Sequence, residues 1–446
     1  RELYAKDSDD VDEVREKARL FGEEIYPALQ PYRELLDLHT GVYFGNGMHE
    51  TTYAKLGAAV DDPVTWARLK VEGLGNVLAQ YAKQRWFHWG LEFPEVFADA
   101  PSGFDVVVGN PPYVNVALDS YKSHHYSCAS ARNLYACVLE RSGYVLGAES
   151  SLGMIVPLSL VCSSRMDGLR NWFRATFQVV RVAHFGIRPA KIFPGVDQRA
   201  TIVVARTRDK SKQQCRIAST RFNRWHYGEE TQVLRNLKFT DITEFPDHLG
   251  WAKLGDETGR RTAQKLFSIP GRIRDYLRQG WTLYYHRVGR YWLKAYDFVP
   301  VYLNAQGESL RSSTLVELSA QSRQVGKVIV GIINSSLFFW YWVLYGDGFD
   351  LMRREVEEFP FAYDESLVDL YGELEQAVDA LMRDYHDKSV LKSYSGGKIT
   401  LQEFYPRLSK RIIDRIDELL GVMYGLDSEE LEYIRSYDAR FRMGEG

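Results

Sequence analysis

The tetrapeptide Asn110-Pro111-Pro112-Tyr113 carries the strongest chemical signal in the chain. It joins a carboxamide, two consecutive prolines and a phenol, directly after the apolar run Phe104–Val108 and Gly109. Two prolines fix φ and remove backbone donors, so the loop is stiff and its carbonyls are free to accept. The Asn110 side-chain oxygen and the Pro111 carbonyl form a pair of acceptors suited to an exocyclic amino group. Such an amine is a poor nucleophile, because its lone pair is delocalised into the ring. Two acceptors on its N–H groups draw the nitrogen towards tetrahedral geometry, so that its lone pair can meet a sulfonium methyl in line. Tyr113 can stack on a base turned out of a duplex. This chemistry requires neither a metal nor a strong general base.

The flanking pattern supplies the positioning elements. Phe104–Val108 lies between Gly103 and Gly109 and predicts a short buried strand. In an open α/β sheet, ligands bind beyond the carboxyl ends of strands, which is where Asn110 falls. Downstream, the pattern predicts a helix over 133–146, a buried strand over 152–156 ended by Pro157, a helix over 166–176, and strands over 179–185 and 200–205. The last two are joined without a helix and should be antiparallel. This is an α/β layer architecture with a largely parallel sheet of about four strands. Before it, residues 11–81 have helical spacing, with Asp61-Asp62-Pro63 as a helix start. The glycines at 41, 45 and 47 follow a helix-like segment and read as a turn, not a cofactor loop.

Beyond Arg206 the pattern is irregular, and residues 211–362 read as a separate mixed domain. Helical spacing returns from Ser366 to Met423, interrupted by a Ser/Gly loop over 393–398. The resulting division is 1–90 helical, 91–210 catalytic, 211–362 recognition and 363–446 helical. Charge follows a related division. Residues 201–300 hold 19 Lys/Arg against 10 Asp/Glu, whereas 361–446 hold 11 against 18. A basic, aromatic middle suits a nucleic-acid surface, for which Arg272, Arg274, Arg278, Arg287 and Arg290 are the candidate contacts. The longest apolar run, Leu337–Tyr345, is too short to span a bilayer and reads as core. Cys128, Cys137, Cys162 and Cys215 form no CxxC pair and no zinc spacing, which fits a reduced, cytoplasmic setting.

From about Phe87 to the C-terminus the chain resembles the gamma-group adenine-N6 DNA methyltransferases, the TaqI-type and type IIG restriction-modification enzymes. His88-Trp89 with Leu91–Phe97 resembles the approach to their catalytic loop, and Asn133-Leu134-Tyr135-Ala136 and Gly153–Pro157 resemble the two following motifs. Lys191–Val196 resembles the motif whose aromatic packs on the flipped base, which would make Phe193 a second wall of the adenine slot beside Tyr113. Leu283–Arg287, Ile333–Trp342 and Ile416–Tyr437 resemble segments of the recognition domain and helical end. The resemblance implies the second half of a class I, Rossmann-like methyltransferase sheet, then an α+β target-recognition domain and a helical C-terminus. It also implies S-adenosyl-L-methionine as methyl donor and double-stranded DNA as partner, within a restriction-modification or phage-defence system. The family's glycine-containing strand-loop-helix for that donor does not precede Phe104, and Arg1 is not a methionine. Most of the donor site is therefore expected upstream of Arg1 or on a partner chain. Two other readings remain: a non-catalytic DNA-specificity subunit, and a methyltransferase using this tetrapeptide on RNA or protein glutamine.

Overall fold

The computed structural model describes residues 10–42, 50–81, 84, 86–98, 102–116, 126–207, 214–394, 396 and 398–444. Contacts divide the chain into two compact units. The first comprises Arg1–Val107, Val116–Tyr126 and Arg141–Ser150, and the second comprises Val108–Asn115, Ser127–Glu140 and Ser151–Gly446.

The first unit is mainly helical, as its sequence period predicts. Leu35 and Leu38 on the helix Tyr26–Val42 pack with Leu56, Val60, Trp66 and Leu78. The Asp61-Asp62-Pro63 signal holds: the Asp62 carboxylate accepts from the N–H groups of Val64 and Thr65, capping the helix Pro63–Leu69. Buried Glu34 would be costly without partners, and it accepts from Trp66 Nε1 at 2.8 Å and Lys70 Nζ at 2.6 Å. Of the glycine-containing turn, residues 43–49 lie outside the described residues.

The central sheet has six strands: β1 (Phe104–Gly109), β2 (Leu146–Pro157), β3 (Phe177–Phe185), β4 (Ala200–Thr207), β5 (Arg216–Asn223) and β6 (Thr240–Asp241). Their order is β1-β2-β4-β3-β5-β6. β4 runs antiparallel to both β2 and β3, as the short β3–β4 connection predicts, and β5 runs parallel to β3. Hence the carboxyl ends of β2, β3 and β5 and the amino end of β4 share one end of the sheet. The helix Asp167–Thr176 covers β3 through Leu169, Trp172 and Phe173, and Trp172 and Phe173 make ring contacts with Phe177.

Three expectations need correction. First, β1 is not a buried strand. It is one of the two edge strands of the sheet, and Val106 and Val108 are 57% and 77% exposed. Its aliphatic run predicts burial, but the face that Val106 and Val108 share is left to solvent, and among the described residues no strand pairs with its outer edge. Second, the sheet does not end near Arg206. β5 and β6 extend it to six strands, so the stretch after 211 begins inside the α/β layer and not in a new domain. Third, the Ser/Gly loop near 393–398 joins a hairpin, β11 (Val390–Tyr394) to β12 (Ile399–Glu403), within a region read as helical.

Before that hairpin come β7 (Leu277–His286), β8 (Ala295–Tyr296), β9 (Tyr302–Asn304) and β10 (Leu315–Ala320). β7 pairs with β10 and β8, while β12 pairs back to β9. The helices Arg323–Asn334 and Ser336–Tyr345 form the centre of this region, and every residue of the second is buried. That accounts for the apolar run Leu337–Tyr345 as core. No single described helix is long and apolar enough to cross a membrane.

Candidate active site

The Asn110–Tyr113 loop leaves the end of β1 within the second unit. Gly109 lets the strand lie close to β2, since a Cβ there would meet Met154 Sδ at 3.3 Å. Pro111 is buried and anchors the bend, while Asn110 and Pro112 are exposed and Tyr113 is half-buried. A stiff bend with its first polar side chain in solvent is open to a ligand.

Two sets of bonds fix the loop. The Tyr113 hydroxyl lies 2.6 Å from Asn110 Oδ1 and 3.0 Å from the Ile155 carbonyl on β2, either of which can accept its single proton. Burial raises the Tyr113 pKa, so the phenol remains a donor at neutral pH. On the exit side, the Leu134 N–H donates to the Val114 carbonyl at 2.8 Å, and Asn115 bridges to Asn133. Asn133 Nδ2 also donates to Asn115 Oδ1 at 3.1 Å. The start of the helix Leu134–Tyr144 thus clamps the loop, which gives Asn133 a positioning role that its residue type alone did not reveal. Deeper in the site, Tyr135 meets Tyr113 edge-on at 6.4 Å between ring centres, and its hydroxyl pairs with Ser159 Oγ at 2.8 Å.

Phe193 lies on the β3–β4 connection, half-buried, in a turn closed by the Val196 N–H on the Phe193 carbonyl. Gly195 takes φ +82° there, and Lys191 Nζ pairs with Asp197 at 2.6 Å across the turn. Among the described residues no direct ring contact joins Phe193 to Tyr113, whose ring neighbour is Tyr135.

The five arginines singled out for DNA meet different neighbours, and Arg272 and Arg274 line one cavity. Arg272 donates to the carbonyls of Ile269 and Gly271, both at 2.7 Å. Arg274 is paired with Glu358, Arg278 with the Gln321 side chain, and Arg287 with Asp350 at 3.3 Å. Arg290 has no such partner among the described residues and lines a cavity formed with residues of the central sheet. Among the described residues no group of His, Cys, Asp or Glu is arranged to hold a metal.

Residues 65–193, which include the loop, match the family model described as Eco57I restriction-modification methylase. The chain is 34% identical over 114 residues to the type II methyltransferase M.PaeR7I of Pseudomonas aeruginosa, covering 24% of this chain and 18% of that protein. It is 29% identical over 93 residues to RM.MjaORFECS2P of Methanocaldococcus jannaschii, whose name joins a type II restriction enzyme and a methyltransferase. That match covers 21% of this chain and 8% of the relative, so the chain matches less than a fifth of either protein's length. A solved structure of the type IIL restriction-modification enzyme MmeI in complex with DNA shares 11% identity. It covers 76% of this chain and 57% of that one at a TM-score of 0.41, too loose a likeness to bear on activity. The segment that carries the Asn110–Tyr113 loop is thus similar to a restriction-modification methylase.

Proposed function

We propose that this chain is the base-binding and DNA-recognition part of a DNA adenine-N6 methyltransferase of a restriction-modification or phage-defence system, working in a reduced cytoplasmic setting. The observation that carries this reading is the rigid Asn110–Tyr113 bend, with Asn110 exposed beyond β1 and Tyr113 tied to β2. An incoming adenine amino group would donate one N–H to Asn110 Oδ1 and the other to the Pro111 carbonyl. The Tyr113 hydroxyl then keeps its bond to the Ile155 carbonyl and gives up Asn110, so the phenol ring stays in place beneath the base. Holding the amine in this geometry is the chain's own contribution to the rate.

S-adenosylmethionine supplies the sulfonium methyl when bound. The described residues do not build a site for it: β1 is an edge strand of the sheet, and no glycine-containing strand-loop-helix precedes it among them. No step through the donor is therefore derived from these residues. The bare edge of β1 suits further strands laid along it, belonging to another stretch of the same protein or to a partner chain, and those would hold the donor.

Asn110→Ala in the complete methyltransferase tests the reading. Losing one of two acceptors should lower turnover by about 100-fold or more, with duplex affinity within about threefold of the parent. Undiminished methylation in that variant would remove Asn110 from the chemistry. Methylation of RNA or of a protein glutamine in place of duplex DNA would keep the loop's role and change the substrate.

A further inference from the structure

A cavity of about 140 Å3 opens at the end of the central sheet, where β3 and β5 finish and β4 begins. Its walls include Arg188, Arg199, Arg224, Arg290, Tyr291 and Phe349. Four guanidinium groups thus come from segments up to about a hundred residues apart, and their charges are not balanced. Arg224 is paired with the buried Asp438 carboxylate, which Arg221 also meets at 2.5 Å. Arg188, Arg199 and Arg290 have no side-chain ion pair or hydrogen bond among the described residues.

Arg199 is the telling member. It is half-buried, and its guanidinium stands 5.4 Å from the Phe349 ring centre. Burial, Arg224 and Arg188 all press its pKa down from the ordinary arginine value, and Asp347 is the main acid opposing them. A half-buried cation among cations is unfavourable until an anion joins it. Two glycines help keep the space open. A Cβ on Gly348 would meet the Phe222 ring at 3.3 Å and approach Arg199 Nε at 3.8 Å, and one on Gly186 would meet Arg224 Cγ at 3.4 Å.

The sheet ties this cavity to the Asn110–Tyr113 loop. The Arg199 carbonyl accepts from the Leu158 N–H at the end of β2, and Ile155 lies opposite Ile202 in the β2–β4 pairing. Ile155 is also the residue whose carbonyl faces the Tyr113 hydroxyl. Arg199 is three residues from Ile202, about 10 Å along the strand.

We infer that the Arg188–Arg199–Arg290 cavity binds a backbone phosphodiester of the DNA strand whose base enters the Asn110–Tyr113 loop. The inference rests on the proposed base-binding function and deepens it. Turning a nucleotide out of the stack needs a grip on the strand beside it as well as a place for the base. Planar, weakly hydrated guanidinium groups suit a phosphate's oxygens.

Anisotropy of a labelled duplex over a NaCl series tests the assignment on the 446-residue chain. Arg199→Gln should weaken binding about tenfold and reduce the slope of log K against log salt by about 0.9, the loss of one phosphate contact. Arg199→Lys should keep most of the slope. Thermal unfolding of Arg199→Gln should be no lower than the parent, because an unmatched charge has been removed; a purely structural arginine would lower it. Inorganic phosphate at matched ionic strength distinguishes the other source of this chemistry. If phosphate raises the parent's melting temperature, Arg199→Gln cancels that rise, and duplex binding is unchanged, the cavity takes free anions and the DNA assignment falls. A parent with no duplex affinity also overturns it, as does an unchanged salt slope. Neither outcome touches the Asn110→Ala result, which judges the base site separately.

Discussion

β1 and β3 are both aliphatic runs that predict burial, and the fold treats them in opposite ways. In β3, Val180 and Val182 are fully buried, with β4 on one side and β5 on the other. In β1, alternate valines face outwards and one edge is bare among the described residues. Composition sets the tendency of a strand to be covered, whereas topology decides whether anything is there to cover it. The interior strand is a finished structural element. The edge strand, which carries the candidate chemistry, has the surface of an element awaiting partners.

The sharpest test of that contrast is a charge placed in β3. Val182→Asp would bury a carboxylate on the covered face of a strand that is paired on both sides. We expect a loss of more than about 4 kcal/mol, enough to unfold the second unit in part or entirely. Urea unfolding at neutral pH measures it, and a midpoint close to the parent's would mean that β3 is not the interior strand described.

The sequence made the loop legible because its signal is local. Asn110, two prolines and Tyr113 follow one another, and the run before them ends where β1 ends. The β3–β4 pair was legible for the same reason, being two apolar runs with no helix between them. β5 was not. Arg216–Asn223 shows no apolar alternation: Ser219 and Thr220 are themselves buried, and the polar groups are satisfied only in the finished sheet, where Ser219 meets His184 Nε2 at 2.9 Å and Asn223 Nδ2 donates to the His184 carbonyl at 2.9 Å. The β11–β12 hairpin was hidden because its five exposed β11 residues carry no apolar alternation, and its anchor, β9, lies about a hundred residues away. The arginine cavity could not be read at all, since residues 188, 199, 224 and 290 meet only in three dimensions. The arginines that did stand out as a series, Arg272 to Arg290, are mostly held by their own neighbours.

A second, smaller effect belongs to β3 alone. His184 is fully buried between Thr201 Oγ1 at 3.1 Å and Ser219 Oγ at 2.9 Å, and burial, with Lys253 nearby, holds its pKa well below the usual histidine value. The folded state therefore keeps the ring neutral, while the unfolded chain protonates it near pH 6.5. Stability from this group is complete above about pH 6.5 and is lost as the pH falls towards the folded value, by up to about 1.4 kcal/mol per pH unit. His184→Gln should flatten that part of the profile in unfolding experiments between about pH 7 and 5. A mutant with the parent's acid slope would assign the sensitivity to other groups. β1, with no buried ionisable side chain, should add nothing to it.

The smallest expected effect is the one most damaging if wrong. Val108→Asp places the same charge on β1 that Val182→Asp places on β3, but at a side chain left mostly to solvent. Asp105, three residues earlier, is already an exposed acid on that strand. The carboxylate keeps its water, so the cost reduces to a lower strand preference, within about 1 kcal/mol. Urea unfolding of the 446-residue chain reads this directly. A loss comparable with that of Val182→Asp would mean that β1 is already covered within this chain. The contrast between an exposed face on β1 and a covered one on β3 would then fail.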